Sequence, residues 1–232
     1  PYYEFLLGAA RVWDVARELG VALTGDEGFV NGVSFDPVGR WLASVSLDGA
    51  QVWEARAGWQ VAEVEHDGAI GATAFSPDGR LVASGGEDGT VRVWEPTTGR
   101  EVAQLAHQEA VVGLVFSSDG RRLATRTDRV ARVWGTDAWS EYVRIEPGGA
   151  VTEMLFSLDG QWLAAATQGG TIRVWETETG EEAARMAHGA DVQSVRFSPG
   201  GRWVAAPGGG GRAQGWGPAV GRRSGRAVVA GH

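Results

Sequence analysis

At 232 residues, the chain is long enough for one domain or two; its net charge is −8, and with no cysteine, disulfides and thiolate metal sites are excluded. No run approaches the ~18 uncharged apolar residues that a helical membrane span needs, so no such span is expected. No secretory signal is visible, so a cytoplasmic location is expected, although the sequence does not open with Met. All 21 basic residues are Arg, and Asn appears once, a bias that fits a GC-rich and therefore bacterial genome rather than a mechanism.

In chain order, residues 1–13 read as two short strands closed by Trp13, and Arg17 to Leu23 as the next. Phe29–Phe35, Trp41–Ser46, Ala50–Glu54 and Trp59–Glu65 read as a set of four. The clearest stretch is residues 66–107, HDGAIGATAFSPDGRLVASGGEDGTVRVWEPTTGREVAQLAH. Within it, Ala69 to Phe75 is apolar or small and lacks any helix period. Ser76-Pro77-Asp78-Gly79 is a turn in which Pro77 presets φ and Gly79 can take a positive φ. Leu81 to Gly85 is a second strand, Glu87-Asp88-Gly89 a hairpin signal, and Val91 to Trp94 a half-buried strand with period two. After Thr98-Gly99, Val102 to Leu105 is the fourth. Further sets follow at Val111–Phe116, Leu123–Thr127, Val130–Trp134 and Tyr142–Ile145, then at Val151–Phe156, Trp162–Thr167, Thr171–Glu176 and Glu182–Met186. The last set is Val192–Phe197, Trp203–Ala206, a third strand weakened by Pro207 to Gly211, and Ala227–Ala230.

These sets are copies of one unit. Tryptophan closes the third strand at Trp13, Trp53, Trp94, Trp134, Trp175 and Trp216, at intervals of 40, 41, 40, 41 and 41 residues. Phe35, Phe75, Phe116, Phe156 and Phe197 keep the same period. A period of about 40–45 residues with four short strands per unit is the range of propeller blades, whose sheets bury their faces by stacking.

The FSPDG turn, the run SGGEDGTVRVWE and His66 together resemble a WD40 repeat, and the resemblance covers essentially the whole chain. It implies an all-β, WD40-type β-propeller over 1–232, with five complete four-stranded blades and one partial N-terminal blade. Residues 217–232 hold an Arg-rich C-terminal strand and the start of a further repeat. Beginning mid-blade and ending mid-repeat, the chain is expected to be part of a seven-bladed or larger array.

The resemblance also assigns a buried hydrogen-bonded tetrad to each blade. It is complete at His66, Ser84, Asp88 and Trp94, and at His107, Thr125, Asp128 and Trp134. The first full blade keeps Ser44, Asp48 and Trp53, with Asp26 in place of His. The fourth keeps only Trp175, with Pro147, Ala165 and Gly169 at the other places; the fifth keeps His188 and Trp216. Asp48 and His188, having lost partners, are the places to look for rescuing contacts. His66, His107, His188 and His232 therefore stand in equivalent places of separate blades, so no metal and no cofactor is expected. A Ser, a His and an Asp in one motif also invite a hydrolase reading, but a buried group leaves no room for substrate. Trp41, Trp162 and Trp203 are expected to pack between blades rather than cage a ligand. Arg40, Arg80, Arg121 and Arg202 are expected to decorate one face.

Residues 1–191 hold 15 Arg and 29 acids, whereas 192–232 hold 6 Arg and no acid, so nucleic acid is an unexpected partner for the acidic body. The function the resemblance implies is a non-catalytic protein-interaction scaffold, the sensing or regulatory propeller of a larger bacterial signalling protein carrying fused domains. Two alternatives stand beside it: a propeller enzyme with a pore-mouth active site, and a purely structural array. In the family, other proteins or peptides bind at the pore mouth. Carried over by position, that mouth comprises Phe29, Asn31, Leu47, Glu87, Thr127, Thr152, Gln168, Asp191 and Gln193, with Phe29 as the chief anchor.

Overall fold

A computed structural model describes residues 10–14, 19–23, 30–47, 49–188, 192, 194–208, 212–216 and 227–229. Among these, every regular element is a strand. Among the described residues no helix is long and apolar enough to cross a membrane. The chain divides into two compact units, Pro1–Leu114 and Val115–His232.

In the first unit, β1 (Ala10–Asp14) and β2 (Leu19–Leu23) form a two-stranded antiparallel sheet. Next comes a four-stranded meander of β3 (Gly32–Phe35), β4 (Trp41–Val45), β5 (Ala50–Glu54) and β6 (Gln60–Val64). A second meander runs β7 (Ile70–Phe75), β8 (Val82–Gly86), β9 (Thr90–Trp94) and β10 (Glu101–Ala106). The next sheet starts at the boundary, with β11 (Gly113–Phe116), β12 (Arg122–Arg126), β13 (Ala131–Gly135) and β14 (Glu141–Ile145). The second unit continues with β15 (Val151–Phe156), β16 (Trp162–Thr167), β17 (Thr171–Glu176) and β18 (Glu182–Ala187). Its last sheet is β19 (Arg196–Phe197), β20 (Val204–Gly208), β21 (Arg212–Trp216) and β22 (Ala227–Val229). All five four-stranded sheets keep sequential antiparallel order, which is the repeated-blade architecture of a WD40 β-propeller.

One side-chain device builds most of the first hairpins. Ser76 Oγ donates to Asp78 Oδ1 at 2.6 Å and accepts Leu81 N at 3.0 Å, while Gly79 takes φ 69°. Ser117 with Asp119 and Ser157 with Asp159 repeat it at 2.6 and 2.5 Å. In the first blade Asp36 replaces the serine and its carboxylate accepts Trp41 N directly, at 2.7 Å. Each turn thus closes on its own side chains, so register does not wait for distant contacts.

Within each unit the core is made between sheets, and Trp53, Trp94 and Trp175 seal joints there. Trp53 packs with Leu42 and Val12 of the preceding two-stranded sheet. Trp94, fully buried, joins Val45, Val52 and Val64 of the preceding blade. Trp175 likewise joins Val133, Val143 and Ile145. The β-ladder slips by one residue beside Trp53, Trp134 and Trp175, a bulge that turns the strand at the same place in each blade. Trp41 and Trp162 pack half-buried against these clusters, but Trp203 is 46% exposed. Arg40, Arg80, Arg121 and Arg202 are all exposed.

Two strands differ from the sequence expectation. The first strand of the last sheet pairs over only Arg196–Phe197, against the six residues expected. Its third strand forms over Arg212–Trp216, and Pro207 and Gly208, expected to weaken it, instead end the second strand and pair with Ala213 and Arg212. The strand expected within residues 1–9 lies outside the described residues.

Candidate functional site

His66, in the loop between β6 and β7, sits against the β8–β9 hairpin with its side chain fully out of solvent. Trp94 Nε1 lies 3.4 Å from Ser84 Oγ, Ser84 Oγ 2.8 Å from His66 Nε2, and His66 Nδ1 3.3 Å from Asp88 Oδ2. Donor logic fixes the directions. The indole can only donate, so Ser84 donates its hydroxyl hydrogen bond to Nε2 and His66 donates from Nδ1 to Asp88. Asp88 also accepts Thr90 N and Thr90 Oγ1, both at 2.8 Å, and Asp67 N at 3.2 Å. Burial pulls the His66 pKa below its ordinary value, and the Asp88 charge opposes this without overcoming it. For Asp88 burial pushes upward, but the hydrogen bonds from Thr90 and Asp67 prevail and hold the carboxyl below its usual range. A neutral imidazole beside an ionised carboxylate is the result.

The connection order Ser84–His66–Asp88 is that of a nucleophile triad. Burial decides against that use. Ser84 has no accessible surface, and Trp94, also fully buried, occupies its Oγ. No carbonyl can approach that oxygen in this conformation. Both ring nitrogens of His66 are taken, so it has no lone pair to give a metal without breaking the chain. Among the described residues no three His, Cys, Asp or Glu side chains are grouped to hold an ion. His66 is one of the residues lining an open, charged cleft of about 530 Å³, with Glu63, Glu65, Asp67 and Arg92.

The other blades keep parts of this chain. Trp53 Nε1 donates to Ser44 Oγ at 2.8 Å, and Trp134 Nε1 to Thr125 Oγ1 at 2.9 Å. Asp128 does not take the place Asp88 takes: its side chain is 66% exposed, 3.7 Å from Arg129. The cause is turn length. Thr127 N bonds Val130 O at 2.9 Å, closing a two-residue turn that leaves Asp128 and Arg129 at its tip. Ser84 and Trp94 are 10 residues apart, but Thr125 and Trp134 only 9. The 40-residue interval from Trp94 to Trp134 is the sequence signal of that missing residue. Ser44 and Trp53 are also 9 apart, with Ser46 N bonding Gly49 O; Asp48 lies outside the described residues. Where the tetrad has decayed, the histidine backbone still clamps the neighbouring hairpin. His188 N bonds Gly170 O at 2.7 Å, as His107 N bonds Gly89 O at 2.7 Å.

The expected partner-contact positions divide three ways. Asn31, Leu47 and Glu87 are exposed in the first unit and Gln168 in the second; Leu47 is 48% accessible. Thr127 is buried at 3%, its hydroxyl accepting Val130 N, so it belongs to its own turn and offers no contact surface. Thr152 is half-buried and donates to Val192 O at 2.6 Å. Phe29, Asp191 and Gln193 lie outside the described residues.

Repeated four-stranded blades, four of them closed by a buried tryptophan at Trp53, Trp94, Trp134 and Trp175 and one holding a full Trp–Ser–His–Asp chain, define a β-propeller of tandem repeats. The chain belongs to the WD40 repeat family. The profile described as "WD domain, G-beta repeat" matches residues 17–50 and 58–95, and "Anaphase-promoting complex subunit 4 WD40 domain" matches 115–200. No curated protein sequence matches. Among solved structures, the chain is similar to the computationally designed Ika8 protein, with 26% identity and a TM-score of 0.79. That match covers 91% of this chain and 65% of the designed one. In all, 1765 chains of known structure match, so the fold is too common to carry an activity by itself.

Proposed function

We propose that the chain is a non-catalytic protein-interaction platform serving as the sensing or regulatory propeller of a larger signalling protein. WD40 repeats generally scaffold protein–protein contacts. The observation that carries the reading here is the division of labour within a blade. The chemically capable residues Ser84, His66 and Asp88 are used up in holding the hairpin, while the neighbouring Glu87 and the equivalent turn residue Leu47 stay exposed. An exposed leucine and a free carboxylate at successive blade turns form a mixed surface of the kind partners use. In the second unit Gln168 holds the corresponding exposed turn. Partners are proteins or peptides that engage this end of the blades.

The test is crosslinking of the purified chain to candidate proteins from its source cells, compared with the double variant Leu47→Asp, Glu87→Arg. Both positions are exposed, so melting should stay within a degree or two. At least one specific crosslinked protein should be lost with the variant. A crosslinking pattern unaffected by the double change would remove this end of the blades as the partner surface.

A further inference from the structure

Three consecutive first strands end in phenylalanine, Phe116, Phe156 and Phe197, and the turns that follow them enclose an open groove of about 380 Å³. The described lining lies wholly in the second unit and is apolar apart from three serine hydroxyls and one charge, Arg196. Within the second unit it is at the far end of these strands from the turn that holds Gln168, so it is a different surface from the one proposed above.

Two features are unexplained by folding. The first is Leu158, which occupies the turn position held by Pro37, Pro77 and Pro199 in sister blades. Proline there presets φ, and Ser118 shows that a small polar residue also serves. Leucine presets nothing, yet it stands 64% exposed on the rim of the groove. The second is Arg196. Its Nη1 donates to Glu153 Oε1 at 2.5 Å and to Val195 O at 2.6 Å. Among the described residues, Nε and Nη2 have no partner. The carboxylates of the two preceding turns are engaged within their own turns. Asp119 accepts Ser117 Oγ and Arg121 N, and Asp159 accepts Ser157 Oγ and Gln161 N.

We propose that this groove docks an extended segment of a partner protein that carries two apolar side chains and one carboxylate. The apolar side chains lie over Leu158 and between the phenylalanines, and the carboxylate takes the two free donors of Arg196. The volume is at the lower end of the ~300–1,000 Å³ of ligand sites, which suits a few side chains rather than a folded domain. The pairing is selective because a guanidinium edge with two donors matches a carboxylate and rejects an amine.

A random octapeptide display library selected on the 232-residue chain tests this. Enriched peptides should share two apolar residues near one Asp or Glu. A synthetic copy should bind the parent chain, bind Leu158→Asp at least tenfold more weakly with melting unchanged, and bind Leu47→Asp as it binds the parent. Changing the peptide's carboxylate to an amide should cost several-fold on the parent chain and nothing on Arg196→Gln. The proposal is overturned if no sequence is enriched, if the consensus is basic or lacks a carboxylate, or if the peptide binds Leu158→Asp undiminished.

Discussion

His66 commits both ring nitrogens to the blade interior, and that makes its protonation a folding matter. The chain from Trp94 through Ser84 needs a lone pair on Nε2, which exists only in the neutral ring. Burial lowers the folded pKa beneath the ordinary value of 6.5. Between 6.5 and that lower value, the unfolded chain binds a proton that the folded chain refuses. Stability from this residue is therefore fully present above pH 6.5 and declines as pH falls through the window. Asp88, also depressed, acts in a separate window below its ordinary 3.8. The expected outcome in urea titrations is a parent chain whose unfolding free energy falls between pH 7.5 and 5. His66→Asn should be less stable at pH 7.5 by about 1–3 kcal/mol, because Ser84 and Asp88 lose a buried partner. Its slope with pH should be shallower. Equal slopes for the two proteins would show that His66 titrates freely in the folded state.

At the level of the hairpin, the His66 and Asp88 side chains come so close to the end of β8 that glycine is required for space. A Cβ on Gly86 would stand 2.6 Å from both Asp88 Oδ1 and His66 Nδ1, inside the hydrogen-bonded pair. Gly169, at the decayed Asp position of a later blade, has nothing within 4 Å of such a carbon and no positive φ. Gly86→Ala should destabilise by about 1–3 kcal/mol through overpacking. Gly169→Ala should be neutral or stabilise by up to ~1 kcal/mol by restricting the unfolded chain. Thermal melting of the two variants checks this, and a Gly169→Ala loss as large as that of Gly86→Ala would contradict it. The same hairpins show what the sequence made legible. Alternating runs such as Val91 to Trp94 and turns such as Ser76 to Gly79 encode their own geometry locally, so the strands, their order and the sealing tryptophans could all be read in advance. The fate of Asp128 followed from a one-residue shortening that was visible in the Trp94–Trp134 interval but depends on how the hairpin closes. The burial of Thr127 has the same origin. The groove beside Leu158 was not legible, because strand period says nothing about which turns of separate blades meet.

For the molecule as a whole, the fold leaves the partner's identity open, since identical blade interiors can carry unrelated turn residues. Charge narrows the choice. The net charge of −8 is unevenly spread: residues 1–191 carry all 29 acids, and 192–232 carry 6 arginines without one. A phosphate backbone approaching the chain meets repulsion over most of its length and attraction only to that final segment. Affinity that rests on a few arginines comes mainly from counterion release, and it falls steeply with salt, by a log–log slope of about −0.9 per neutralised phosphate. With at most six such contacts the slope is no steeper than about −5, and with the acidic body opposing them the binding should be weak. A 30-base-pair duplex of random sequence should therefore show at most marginal retardation by the chain in about 20 mM salt, and none near 150 mM, where the Debye length is ~8 Å. Replacing the arginines at 222, 223 and 226 by glutamine should abolish even the low-salt band. Retention of a discrete complex at 150 mM salt, or a low-salt complex indifferent to those three substitutions, would place a nucleic-acid surface on the acidic body and overturn the choice of proteins and peptides as partners.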